Sequence, residues 1–195
     1  MFSASLVAAF VALAVFDSAS ASVLSARQTS PGCGPNFQGH PISITYGGSN
    51  GVDELGVASN TAGAGLTTQP ESAFTAEFLV ENSGHFPSSY LIKDQNDHSL
   101  VVYAGIRGHA PPLLNLNSID NSGVDVRQYW FITCDTCASP SANVPPGGVF
   151  GISCQIETTV FSFCIQSPDV LGNPPVLAAC ADKPNQKFNL LRGSI

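Results

Sequence analysis

From Pro41 onward the chain repeats one pattern: a short apolar or alternating run, then a cluster of Gly, Pro, Asn, Asp or Ser. The runs are Pro41–Tyr46, Glu54–Ala58, Ala76–Val80, Tyr90–Lys93, Leu100–Tyr103, Leu113–Leu116, Tyr129–Thr133, Phe150–Ser153, Thr159–Phe163, Val176–Ala179 and Lys187–Leu191. Turn-formers separate them, including Gly47–Gly51, Asp94–Asp97 and Pro145–Gly148. A strand turns successive side chains to opposite faces, so a period of two between turn residues predicts strands. Pro and Gly interrupt every later window long enough for an amphipathic helix of three turns, so the expected class is all-β.

The N-terminus breaks this pattern. Leu6–Phe16 is apolar throughout, and Ala19-Ser20-Ala21 follows with small residues at the positions a signal peptidase reads. At about 1.5 Å per helical residue the run falls well short of a ~30 Å hydrocarbon core. Residues 1–21 are therefore expected to be a signal peptide, with Arg27-Gln28 as a second processing point, and residues 28–195 one extracellular domain. No later run reaches membrane-spanning length. All six cysteines (Cys33, Cys134, Cys137, Cys154, Cys164 and Cys180) follow the leader, an even number suited to disulfides in an exported chain. Cys134-Asp-Thr-Cys137 has the spacing of a redox or metal motif, but a Pro-, Ser- and Gly-rich stretch follows it where a redox motif needs a helix, and no His lies beyond His109. Structural disulfides are the expectation: Cys154 joins Cys134 or Cys137, and Cys33 takes the other.

The runs recur in rounds. Phe78, Trp130 and Phe188 each head an apolar strand, and Gln128 and Gln186 stand two positions before the last two. Three runs precede each aromatic, the third of them short. These are Ile42–Tyr46, Leu55–Ala58 and Leu66–Thr68; then Tyr90–Lys93, Leu100–Tyr103 and Leu113–Leu116; then Phe150–Ile156, Phe163–Gln166 and Val176–Ala179. The segment Cys180-Ala-Asp-Lys-Pro-Asn185-Gln186-Lys-Phe188 and the Gln128-Tyr-Trp130 triplet resemble the closing motif of ricin B-type β-trefoil lectins, over about residues 36–192. The resemblance implies a β-trefoil of three four-strand pseudo-repeats, with Phe78, Trp130 and Phe188 in a shared core and a Cys164–Cys180 bridge within the third repeat. A β-sandwich is the competing arrangement.

The same resemblance implies where a sugar would bind. The family uses a second-strand carboxylate, an aromatic near the third strand and a polar residue before the closing aromatic. Aligned by the second strands, the carboxylate position falls at Gly56, Val101 and Gln166, and the stacking position at Asn117 and Ala178. None is acidic or aromatic, so Gln166, Asn185 and Gln186 of the third repeat remain the candidate ligand residues. Asn185 and Gln186 also suit a second role, tying down backbone before the last strand. Asp94, Asp97 and His98 form a further polar turn.

Charge narrows the partners. Charged residues are only 11 % of the chain, and 7 Lys+Arg face 14 Asp+Glu for a net −7. Such a chain offers no basic surface for nucleic acid and too few charges for a coiled coil. No paired catalytic carboxylates, nucleophile elbow, metal-binding helix motif or phosphate loop is present. The reading is a non-catalytic binder without cofactor or metal, with a glycan or cell-wall polysaccharide as partner. A protease inhibitor presenting Arg107 from the loop 104–112, or the loop 138–148, is the alternative, and a structural protein without a small ligand is a third.

Overall fold

Residues 32–37, 39–48, 51–71, 76–105, 113–139 and 143–193 are described by the computed structural model. The leader, Arg27, Arg107 and residues 140–142 of the second inhibitor loop lie outside these residues.

Among the described residues there is no α-helix. The alternating runs form β1 (Pro41–Gly48), β2 (Gly51–Val57), β3 (Leu66–Pro70), β4 (Phe78–Asn82), β5 (Ser89–Asp94), β6 (Leu100–Gly105) and β7 (Leu113–Ser118). Then come β8 (Tyr129–Thr133), β9 (Thr136–Cys137), β10 (Val149–Thr158), β11 (Phe163–Gln166), β12 (Val176–Ala179) and β13 (Phe188–Arg192). Two details differ from the sequence pattern. Residues 159–162 are a turn and not part of a strand, because Phe161 and Ser162 adopt left-handed backbone (φ 68° and 50°) and reverse the chain. The short β9 is an addition: the turn at Asp135 folds Thr136 and Cys137 back onto Gly151 and Ile152.

Antiparallel pairing closes six strands into a ring in the order β1, β4, β5, β8, β10, β13 and back to β1. A closed ring leaves no free edge, which removes the aggregation hazard of unpaired strand backbone. Three hairpins, β2–β3, β6–β7 and β11–β12, lie off the ring. They touch one another. Leu113 pairs with Val176 and Gly65 with Asn115, while Thr68 Oγ1 donates to Asn173 O at 3.0 Å and accepts from Gly172 N at 2.9 Å.

Phe78, Trp130 and Phe188 have no exposed surface and share one core cluster with Ile42, Ile44, Ile92, Ile156 and Leu190. Burying each ring removes about 150–250 Å² from water, the largest single contributions available to such a core. The Trp130 indole N–H donates to Val102 O at 3.0 Å, so its burial leaves no orphaned donor. Phe37 packs edge-on against Tyr90 and Phe150, with centroids 5.7 and 5.5 Å apart, and the Tyr90 hydroxyl donates to Pro35 O at 2.8 Å. These contacts bind the N-terminal segment to the barrel.

All six cysteines are bridged, as Cys33–Cys137, Cys134–Cys154 and Cys164–Cys180. The two sulfurs of the Cys134–Cys137 motif go to different partners, so the motif is a double staple and offers no dithiol. Backbone bonds of 2.9 Å in both directions between Cys33 and Cys134 hold the two bridges side by side. Gly151 makes this possible, since a Cβ there would lie 2.6 Å from the Sγ of both Cys134 and Cys154. No other residue fits at that point.

Candidate functional site

Gln166 ends β11, and Asn185 and Gln186 lie in the short 3-10 turn Pro184–Gln186 that leads into β13. Ser167 joins them: its N–H and hydroxyl both donate to Asn185 O, at 2.8 and 3.2 Å. Gln186 Nε2 donates to Gln166 Oε1 at 3.2 Å, so the three residues form one group. Beneath them the Cys164–Cys180 bridge, with Cα atoms 4.9 Å apart, ties β11 to the segment after β12.

The three side chains do different things. Gln186 is fully buried, accepts from Ala181 N at 2.7 Å and donates to Ala179 O at 3.0 Å as well as to Gln166. Its amide is occupied by the protein and clamps the β12–β13 connection, the second of the two roles expected for Gln186. Gln128 does the same work before β8, accepting from Asp120 N at 2.9 Å and donating to Asp120 O at 2.6 Å. Ala76 stands at the corresponding place before Phe78, so that connection lacks the clamp. Gln166 and Asn185 are half-buried. Asn185 Oδ1 is a buried acceptor without a hydrogen-bond partner among the described residues. The carbonyl of Gln166 is taken by Gln186, which leaves its NH₂ group to donate. A buried acceptor left unpaired in the fold and an amide donor in the same group are polar groups that a hydroxyl-bearing ligand satisfies.

The strand register moves one expected position. Thr45 faces Glu54, Lys93 faces Val101 and Glu157 faces Cys164, while Leu55, Val102 and Ile165 lie in the main core. The residues one step further are Gly56, Tyr103 and Gln166. Tyr103, and not Val101, is therefore the second-hairpin counterpart of Gln166. Val101 is fully buried on the opposite face, against Leu91 and Tyr129. The sequence alignment slipped by two residues here, a shift that preserves inward–outward alternation and leaves the pattern unchanged.

At this second position the surroundings are charged. The Tyr103 hydroxyl donates to Asp125 Oδ2 at 3.0 Å, and the Arg127 guanidinium lies 4.8 Å above the Tyr103 ring centroid. Arg127 Nε and a terminal N–H grip the two Asp125 oxygens at 2.7 and 2.8 Å. The Arg127 bonds hold the Asp125 carboxyl below the ordinary 3.8, and Asp125 in turn raises Arg127. Sequence reasoning did not single out Asp125 or Arg127, although Arg127 precedes Gln128 as Asn185 precedes Gln186.

The first hairpin carries a buried acidic group instead. Gln69 Nε2 donates to Glu54 Oε1 and to Glu77 Oε1, each at 3.0 Å. Burial pushes the Glu77 carboxyl above its ordinary 4.5; the Gln69 bond opposes this, and the charges of Glu54 and Asp94 add to it. The Asp94–His98 turn is built for structure. Fully buried Asp94 accepts from Asn96 N, Asp97 N and Asn60 Nδ2 at 2.8, 2.7 and 2.7 Å, and Asp97 accepts from Ser99 N and Oγ at 2.9 and 2.6 Å.

No family model and no curated protein matches this sequence. Solved structures do match its fold. A mosquitocidal holotoxin superposes with a TM-score of 0.58 at 10 % identity over 80 % of this chain. A Polyporus squamosus lectin bound to a human-type influenza-binding epitope gives 0.53 at 13 % identity over 80 % of this chain. The chain spans 17 % of the holotoxin chain and 50 % of the lectin chain. The BEL β-trefoil gives 0.51 at 10 % identity, covering 82 % of this chain and 98 % of BEL. These likenesses give the protein the fold of a β-trefoil.

Proposed function

We propose that this is a secreted, non-catalytic carbohydrate-binding protein, in which residues 28–195 form one β-trefoil of three four-strand pseudo-repeats. The repeat reading is supported by register. Ile42 lies opposite Phe78, Tyr90 opposite Trp130 and Cys154 opposite Phe188, so each first strand meets its own closing strand at the core aromatic. Export after a signal peptide is supported by three disulfides, which persist in oxidising compartments.

The observation that carries the binding role is the unpaired Asn185 acceptor, buried in one group with the Gln166 amide, on a fold shared with a lectin. Both groups are neutral, so hydroxyls bind through hydrogen bonds of ordinary strength, about half that of charged ones. Specificity then comes from shape, and a glycan or cell-wall polysaccharide with several weak contacts is the fitting partner. Retention of the secreted protein on a panel of immobilised polysaccharides and glycans tests this. Binding by the wild type is expected, and retention on none of them overturns the reading.

A further inference from the structure

The loop from Asp120 to Arg127 and the turn between β10 and β11 flank an open pocket of about 430 Å³, lined by Asp120, Val124, Asp125, Arg127, Val160 and Phe161 among others. Its size lies within the range of small-molecule sites. Two of its apolar side chains are exposed to an unusual degree, Val124 by 79 % and Phe161 by 70 %.

The backbone holds Phe161 there at a cost. Phe161 and Ser162 are consecutive left-handed positions at the tip of a hairpin, where Asn-Gly is the favoured pair. A non-glycine residue there brings its Cβ against the following carbonyl oxygen, which strains the backbone. A strained turn that displays an aromatic ring to water does nothing for the core, and strain of this kind marks functional positions. The turn is also anchored to the opposite wall, because Thr159 N donates to Tyr129 O at 3.2 Å and Thr159 Oγ1 to Val126 O at 2.9 Å.

The polar wall is equally fixed. Gln128 holds the Asp120 backbone, and Gly123 (φ 77°) presses the loop on His85, whose Nδ1 would lie 2.5 Å from any Cβ at 123. Asp120 accepts from Ser122 N, Ser122 Oγ and Asp125 N at 2.9, 2.5 and 2.9 Å. Arg127 spends two of its five N–H donors on Asp125, and the other three have no partner among the described residues. Two carboxylates against one guanidinium leave this wall with one net negative charge, which disfavours an anionic ligand. An acidic chain of net −7 likewise repels an anionic bilayer.

We propose that this pocket binds a neutral pyranose, with Phe161 as the platform under the apolar face of the ring and Arg127 and Asp120 as hydroxyl partners. The proposal rests on the carbohydrate-binding reading but places the ligand apart from Gln166 and Asn185, on an aromatic supplied by the turn that opens the third repeat.

The test uses the full secreted protein on immobilised neutral polysaccharides (chitin, β-glucan, mannan and galactan), followed by calorimetric titration with oligosaccharides of whichever retains it. Phe161→Gly is expected to weaken binding at least tenfold while its melting temperature stays level or rises, since glycine relieves the left-handed strain. Phe161→Trp is expected to keep binding, and Arg127→Lys to weaken it. Wild-type retention with Phe161→Gly equal to wild type overturns this site alone; if Asn185→Ala then abolishes retention, the Gln166–Asn185 place holds the sugar. Retention of the wild type on none of the matrices overturns the carbohydrate reading together with this site. Phe161-dependent flotation with neutral phosphatidylcholine vesicles, without saccharide binding, assigns the exposed ring to a membrane and overturns the proposal.

Discussion

Replacing Gln186 with alanine separates a clamp from a ligand contact. The side chain is fully buried and makes three hydrogen bonds, from Ala181 N and to Ala179 O and Gln166 Oε1. A typical intramolecular hydrogen bond contributes about 1 kcal/mol net, and a buried partner left unmade costs about 1–3 kcal/mol. Ala181 N and Ala179 O lose their amide partner together, and the truncation leaves a void under the loop. The expected loss is about 3 kcal/mol, which in a domain of this size lowers the melting temperature by about 6–12 °C. Urea denaturation, with the slope unchanged and the midpoint lowered, reads this directly. Gln128→Ala is the internal control, because its amide makes the same kind of bonds to Asp120 and a similar loss is expected. The clamp assignment is refuted if Gln186→Ala unfolds within about 0.5 kcal/mol of wild type, the range of ordinary surface substitutions, yet no longer binds polysaccharide.

The charge buried at the first hairpin gives a pH-dependent prediction. Because the folded Glu77 carboxyl is raised above 4.5, the folded chain holds that proton more tightly; the group's contribution is full below pH 4.5 and lost as pH rises through the raised value. Glu77→Gln keeps an acceptor for Gln69 and has no proton to lose. It is expected to be more stable than wild type at pH 7, by less than about 1 kcal/mol because water screens a half-buried group, and equal at pH 4 and below in paired thermal melts. Val101→Asp tests the register. With Val101 fully buried against Leu91 and Tyr129, an unpaired carboxylate there is expected to cost several kcal/mol and to abolish secretion of folded protein. Normal secretion and an unchanged melting temperature would return Val101 to the surface and refute this register.

The strands were legible because alternation is a local property. A residue such as Ile44, set between Ser43 and Thr45 and followed by turn-formers, declares its face without knowledge of the rest of the chain. Thr159–Phe163 fails by the same rule: an apolar Phe161 reads as strand, and only the left-handed backbone shows that the ring stands in water. The pairing between strands is not local. A slip of two residues maps every inward side chain onto another inward position, so hydrophobicity could not distinguish Val101 from Tyr103 as the partner of Gln166. Only the crossing partners do, Lys93 for Val101 and Asn115 for Tyr103. Site residues inherit this ambiguity more severely than core residues. A core position two residues away is still core, whereas moving from Val101 to Tyr103 exchanges an aliphatic packed on Leu91 and Tyr129 for a hydroxyl bonded to Asp125 on a ring that lies under Arg127. The polar group at Tyr103 is assembled from β6 and from the turn before β8, more than twenty residues later, and no window along the chain contains both. Chemistry built across such a gap becomes visible only when register is fixed.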